Sequence, residues 1–325
     1  MKRTIVVALA AATTVAQASF DLMLIPGNDN RVYRYDPLNN IHLGSYSTIG
    51  NSNLVAADNR GISYTSTGSN SLQSIRYSTG EQVNMITGSV TARAHELAGD
   101  YVYVLGGNSV RRTHITTGAS VLSTGGGIVD YHSMAAFGNN LIVAGINSSN
   151  QLSIGNFDLT TLTFGSAITS TFTVASGSIL GKATIVQSPV TGAVSLLYTY
   201  SNGANAIAMR MALNNSGQIT SNSFSSQTLS NFGVTTMMPS FMAAHGGGAW
   251  LLGRDTVSAA NFRVTRIDLS TAGTPIEGDT ATFAAQGGAF PGLLTYTHGA
   301  TVIAPEPAAF MPLSLGLLLL RRKRK

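Results

Sequence analysis

The sequence predicts an all-β chain folded as a single closed β-propeller of about six blades, with seven also compatible. Three observations predict it. The 325-residue chain is 44% hydrophobic and only 10% charged. Disorder needs the opposite balance, and coiled coils need far more charge. A four-strand unit recurs at roughly 40-residue spacing, the content and length of a propeller blade. That unit is also split between the two ends of the chain, as a closed ring requires.

The chain opens on a positive segment, Lys2 and Arg3, then a short apolar run, Ile5–Ala12. Ala16-Gln17-Ala18 has the small-x-small form of a cleavage site. Together they read as a secretory signal peptide over residues 1–18, cut by signal peptidase after Ala18. A short apolar helix buried in the fold would not need the charged start or the cleavage site.

The propeller is expected over residues 19–304. A turn unit recurs in it, an apolar residue followed by Asp, Ser, Thr, Asn or Gly. It begins at Tyr35, Tyr77, Ile115, Phe157, Met211 and Ile267, at spacings of 42, 38, 42, 54 and 56. Asp, Ser and Thr start such turns by bonding their own backbone, and Gly or Asn tolerates positive φ. A second unit precedes the later turns: two apolar strands around a small-residue turn, a hairpin pattern. It occurs at 54–64, 96–104, 133–143 and 241–252.

Five full repeats run from about Ser52 to Ala285. Leu22–Tyr46 holds the later strands of a sixth, and residues 291–304 hold its first strands. Pairing the two fragments would close the ring and remove its exposed sheet edges. A β-sandwich would not show this period, and solenoid rungs are shorter. The body resembles propellers in general, without a WD or kelch signature.

The last 21 residues have three parts in order: Pro305-Glu306-Pro307, the apolar run Ala308–Leu320, and the basic cluster Arg321–Lys325. As a helix the 13-residue run would reach about 20 Å, short of the ~30 Å hydrocarbon core, and Pro312 interrupts it. Five cations at the end hold that end in the cytoplasm, leaving the body outside.

This ending resembles the PEP-CTERM sorting signal of bacteria that carry an exosortase. The resemblance covers residues 305–325. It implies export through the N-terminal signal and transient anchoring in the inner membrane. It further implies recognition at Pro305, Glu306 and Pro307 and cleavage nearby by the exosortase. Proteins of this kind are associated with the cell surface and with exopolysaccharide or biofilm matrix. The short, interrupted apolar run leaves open whether the segment is cleaved or stays as an anchor.

The net charge of +5 reflects the ends. Seven of the 19 Lys and Arg lie there, leaving 12 basic against 14 acidic groups and a single body lysine, Lys182. A nucleic-acid partner would need a basic patch on the folded body, so none is expected. The absence of Cys excludes disulfides and thiolate metal sites.

Chemistry is sparse. No nucleophile elbow, zinc-protease or EF-hand motif occurs, and the Gly-rich pieces lack a P-loop Lys. The best cluster is Asp130, His132, His95 and Glu96, on strands expected to line the channel, as a candidate ligand-binding set. His95 and Glu96 are adjacent, so only one of them can face the channel. His245 and His298 fall in turns. Tyr64, Tyr101, Tyr103, Tyr198 and Tyr200 could stack on sugars, although packing between blades explains them as well.

No catalytic residue, metal or cofactor is expected. The reading is an exported surface or matrix protein with a binding or structural role, its partners an extracellular polysaccharide or a surface protein. The alternative is a propeller hydrolase or lyase acting on a sugar, lactone or peptide in the channel. A third reading is a matrix repeat protein without a specific ligand.

Overall fold

The computed structural model describes residues 21–26, 30–50, 52–57, 60–67, 72–86, 92–125, 129–175, 180–202, 205–229, 232–233, 240–243, 247–255, 261–269, 275–284 and 301–303. Both expected terminal helices lie outside these residues, as do Ala16, Ala18, Pro305, Glu306, Pro307, His245 and His298.

Six antiparallel sheets form the body. One contains β1 (Leu22–Pro26), β2 (Arg31–Asp36) and β3 (Ile41–Ser47). The next contains β4 (Ser52–Ala57), β5 (Ile62–Thr67), β6 (Leu72–Arg76) and β7 (Glu81–Ile86). The third is β8 (Ala94–Ala98), β9 (Tyr101–Gly106), β10 (Ser109–His114) and β11 (Ser120–Thr124). The fourth has β12 (Asp130–Phe137), β13 (Asn140–Ile146), β14 (Gln151–Asp158), and on its outer edge β15 (Thr163–Phe164) and β16 (Ile168–Thr173).

The fifth is β17 (Thr184–Gln187), β18 (Val194–Ser201), β19 (Ala206–Leu213) and β20 (Ile219–Leu229). The sixth has an inner edge in two pieces, β21 (Phe232–Gly233) and β22 (Ser240–Ala243). It continues through β23 (Ala249–Asp255), β24 (Asn261–Leu269) and β25 (Pro275–Ala284). The last strand, β26 (Thr301–Ile303), returns to the first sheet.

The split blade is therefore real. β26 pairs antiparallel with β1, Leu22 opposite Ile303 and Leu24 opposite Thr301. The innermost strands touch in a closed circle: β4, β8, β12, β17, β22 and β26, with β26 back against β4. Six blades close the ring, which excludes seven. The longer spacings of 54 and 56 come from the added strand β16, the 11-residue β20 and the divided inner edge of the sixth blade, not from an extra blade.

The turn chemistry explains where outer strands begin. Asp36 Oδ1 accepts hydrogen bonds from the Leu38 and Asn39 amides, both at 3.0 Å. Asp158 Oδ1 accepts from Thr160 and Thr161, both at 2.8 Å. Gly80 and Gly118 close equivalent turns at φ 78° and 71°, where a Cβ would be strained.

Blades stack face to face, so their middle strands are covered on both sides. β18, VSLLYTYS, is buried along its whole length, Ser195, Thr199 and Ser201 included. Tyr103, Leu105, Tyr131, Met134 and Phe157 fill the third-to-fourth blade interface. Outermost strands such as β11 face solvent.

A buried latch strengthens the closure. Trp250 Nε1 on β23 donates to Asp21 Oδ2 at 2.6 Å, just before β1, and both residues are buried. Arg266 on β24 lies 3.9 Å from the same carboxylate and 5.8 Å from the Trp250 ring centre.

Candidate functional site: the two ends of the channel

Five inner strands present equivalent residue pairs around a cavity of about 180 Å³ in the channel. These pairs are Ala56-Ala57, Glu96-Leu97, Ala135-Ala136, Thr184-Ile185 and Met242-Ala243, joined by Lys182 and Ala183. Alanine at half of these positions leaves the space. Glu96 replaces alanine on β8, and Lys182 enters just ahead of β17.

Backbone contacts fix Lys182. Its N–H donates to Ser240 Oγ at 3.0 Å, and its carbonyl accepts from the Phe241 amide at 3.0 Å. The next amide, Ala183, donates to Ser133 Oγ. The segment is thus pinned between β12 and β22, the inner strands on either side.

Glu96 and Lys182 attract each other within this enclosure. Burial pushes the Glu96 carboxyl up to about 7, while Lys182 and a hydrogen bond from the Ala136 backbone pull the other way. Burial pushes the Lys182 ammonium down, with Glu96 opposing. Both shifts have one cause: protein atoms replace the water that stabilises charge.

His95 points away from this pair. It is 1% exposed, and neither ring nitrogen makes a hydrogen bond of good geometry. Burial, then the Lys182 charge, lower its pKa to about 3, so the ring is neutral. Of the adjacent residues His95 and Glu96, the channel receives Glu96.

Asp130 and His132 do come together, at the other end of the channel. Arg93 joins them: its Nη1 lies 2.6 Å from Asp130 Oδ1 and 3.1 Å from each ring nitrogen of His132. His132 Nε2 lies 3.2 Å from Asp130 Oδ2. Burial and then Arg93 lower the His132 pKa to about 4, against the pull of Asp130. A neutral His132 satisfies both neighbours, donating Nε2–H to Asp130 and accepting from Arg93 at Nδ1.

A β-bulge at His132 sets this up, since Tyr131 opposes Gly145 and Ser133 opposes Ala144. The bulge presses on Gly145, where a Cβ would collide with the Asp130 carbonyl. The four candidate residues therefore divide. His132 precedes Ala135 by three residues, about 10 Å along β12. Asp130 and His132 lie near one mouth, Glu96 lies in the cavity, and His95 lies behind β8.

Sequence reasoning missed Arg93 and did not assign Lys182 to the channel. A lone body lysine at the start of an inner strand was the available signal for Lys182. The tyrosines act in packing: Tyr64, Tyr103, Tyr198 and Tyr200 are buried. Tyr101 is half-buried and carries Arg112 over its ring at 4.6 Å. Among the described residues, no group of three His, Asp or Glu side chains has the arrangement of a metal site.

No protein-family model matches the chain, and no curated protein does. Solved structures match it in fold. A protein of unknown function from Bacteroides caccae aligns at TM-score 0.55 and 10% identity, over 88% of this chain and 99% of that one. A chain from a mitotic checkpoint complex structure aligns at TM-score 0.48 and 12% identity, over 71% of this chain and 68% of that one. At such identities the likeness concerns the fold alone.

Proposed function

We propose that this chain is an exported binding propeller, sorted by an exosortase-type system to the cell surface or matrix, where it contacts polysaccharide or a surface protein without catalysing a reaction. The observation that carries the non-catalytic reading is the employment of its few carboxylates. Asp36 and Asp158 hold turns, Asp21 latches the ring, Asp100 pairs with Arg60, and Glu81 pairs with Arg76. Such acids are committed to structure, whereas a catalytic pair must be free to exchange protons with a substrate.

The sorting reading fits the ring's boundaries. Among the described residues its strands run from Leu22 to Ile303, so cuts after Ala18 and near Pro305–Pro307 leave these strands intact. The competing reading, a hydrolase or lyase acting on a sugar, lactone or peptide, draws on Asp130 and His132 at the mouth and Glu96 in the cavity.

Intact-mass analysis of extracellular material tests the sorting. The mature chain should begin at Ser19 and lack Arg321–Lys325. Retention of that tail in most of the extracellular pool would mean a permanent anchor. The same material should bind glycans without cleaving them. Turnover abolished by His132→Ala and by Asp130→Ala, with folding intact, would establish the enzyme reading instead.

A further inference from the structure

The geometry points to Lys182 as a carbonyl-capturing amine: a small aldehyde or ketone entering the channel cavity forms an imine with Lys182 Nζ, and Glu96 donates and takes back the proton. This goes beyond the binding role and does not depend on export.

Three observations carry it. Lys182 and Glu96 line the same cavity, whose other walls are largely alanine. The repeat does not require the carboxylate, because positions equivalent to Glu96 hold Ala56, Ala135 and Met242. The cavity of about 180 Å³ has room for a small carbonyl compound. The charged or titratable groups around it, among the described residues, are Lys182, Glu96 and, behind β8, His95.

The pair also solves a chemical problem. An ammonium has no lone pair and cannot attack a carbonyl. Moving one proton from Lys182 to Glu96 turns two charged groups into an amine and a carboxylic acid that share the cavity. Burial weakens the charged form of both groups, raising the Glu96 carboxyl and lowering the Lys182 ammonium.

The steps balance without an oxidant or reductant. The Nζ lone pair attacks the carbonyl carbon, forming the C–N bond, and one amine proton moves to the oxygen to give a carbinolamine. Glu96 then protonates the hydroxyl, which leaves as water while the nitrogen lone pair forms C=N. The carboxylate recovers the last proton from the iminium nitrogen. Amine plus carbonyl has become imine plus water.

Glycolaldehyde with cyanoborohydride tests this on the full chain at neutral pH, since reduction fixes the imine for peptide mapping. Lys2, Lys323 and Lys325 serve as internal references. The expected result is modification of Lys182 roughly tenfold faster than the reference lysines, with the advantage lost in urea. Glu96→Gln should remove the fall in rate on the alkaline side of the pH profile. Modification of Lys182 no faster than the references, or only in urea, would overturn the proposal. An alkaline fall that survives in Glu96→Gln would remove Glu96 from it.

Discussion

The two ends of the channel hold the same kinds of group in different surroundings. At one mouth, Arg93 and Asp130 form a short ion pair with side chains 36% and 48% exposed. In the cavity, Lys182 is 8% exposed and shares an alanine-rich space with Glu96. At the mouth, water and salt screen the pair, and its net contribution is small. In the cavity, desolvation drives both groups toward neutrality, and the same attraction works against it. Placement, more than residue type, separates a surface contact from a group with altered reactivity.

The largest contrast should appear in stability. Lys182→Met leaves Glu96 without its counter-charge, and the cost should grow as pH rises, reaching about 3 kcal/mol well above the carboxyl's value of about 7. Pairing it with Glu96→Leu should recover much of that loss. Arg93→Gln should cost less than about 1 kcal/mol, and high salt should shrink the difference. Urea unfolding of the variants gives all of these values. Equal costs for Lys182→Met and Arg93→Gln would break the comparison.

A smaller effect concerns acid. His95 is held neutral, with its pKa lowered to about 3, whereas an unfolded His titrates near 6.5. A lowered folded value means that stability is fully present above about 6.5 and declines as pH falls toward 3. His132 acts with the same sign between about 6.5 and 4. His95→Gln should flatten the acid limb by about 2 kcal/mol near pH 4.5. An unchanged limb would mean that water reaches the ring.

The ring was legible in the sequence because each blade repeats local chemistry. Asp36, Asp158 and the Gly80 and Gly118 turns mark outer strands, and small-residue hairpins such as 133–143 mark inner ones. The split repeat exposed the closure, since Leu22–Tyr46 lacks an inner strand and residues 291–304 supply it. The long spacings left the blade count open, because extra strand length such as β16 and β20 looks like extra repeat.

The site was less legible because it is assembled across blades. Glu96 belongs to the third blade and Lys182 to the fifth, and only ring closure brings them together. Arg93 lies outside any regular strand, so its contact with Asp130 and His132 carried no periodic signal. Alternation did establish that His95 and Glu96 point opposite ways, although not which of them faces the channel. The Trp250–Asp21 latch spans 229 residues and has no local mark at all.

The most direct test is the titration of Lys182 in the intact protein, using carbon-labelled lysine and nuclear magnetic resonance. The chain has four lysines, and Lys182→Arg identifies the resonance of interest. Lys182 should titrate below the terminal lysines, with an inflection that moves in Glu96→Gln. A Lys182 that titrates with the terminal lysines and ignores Glu96 would contradict a buried, coupled pair in the channel.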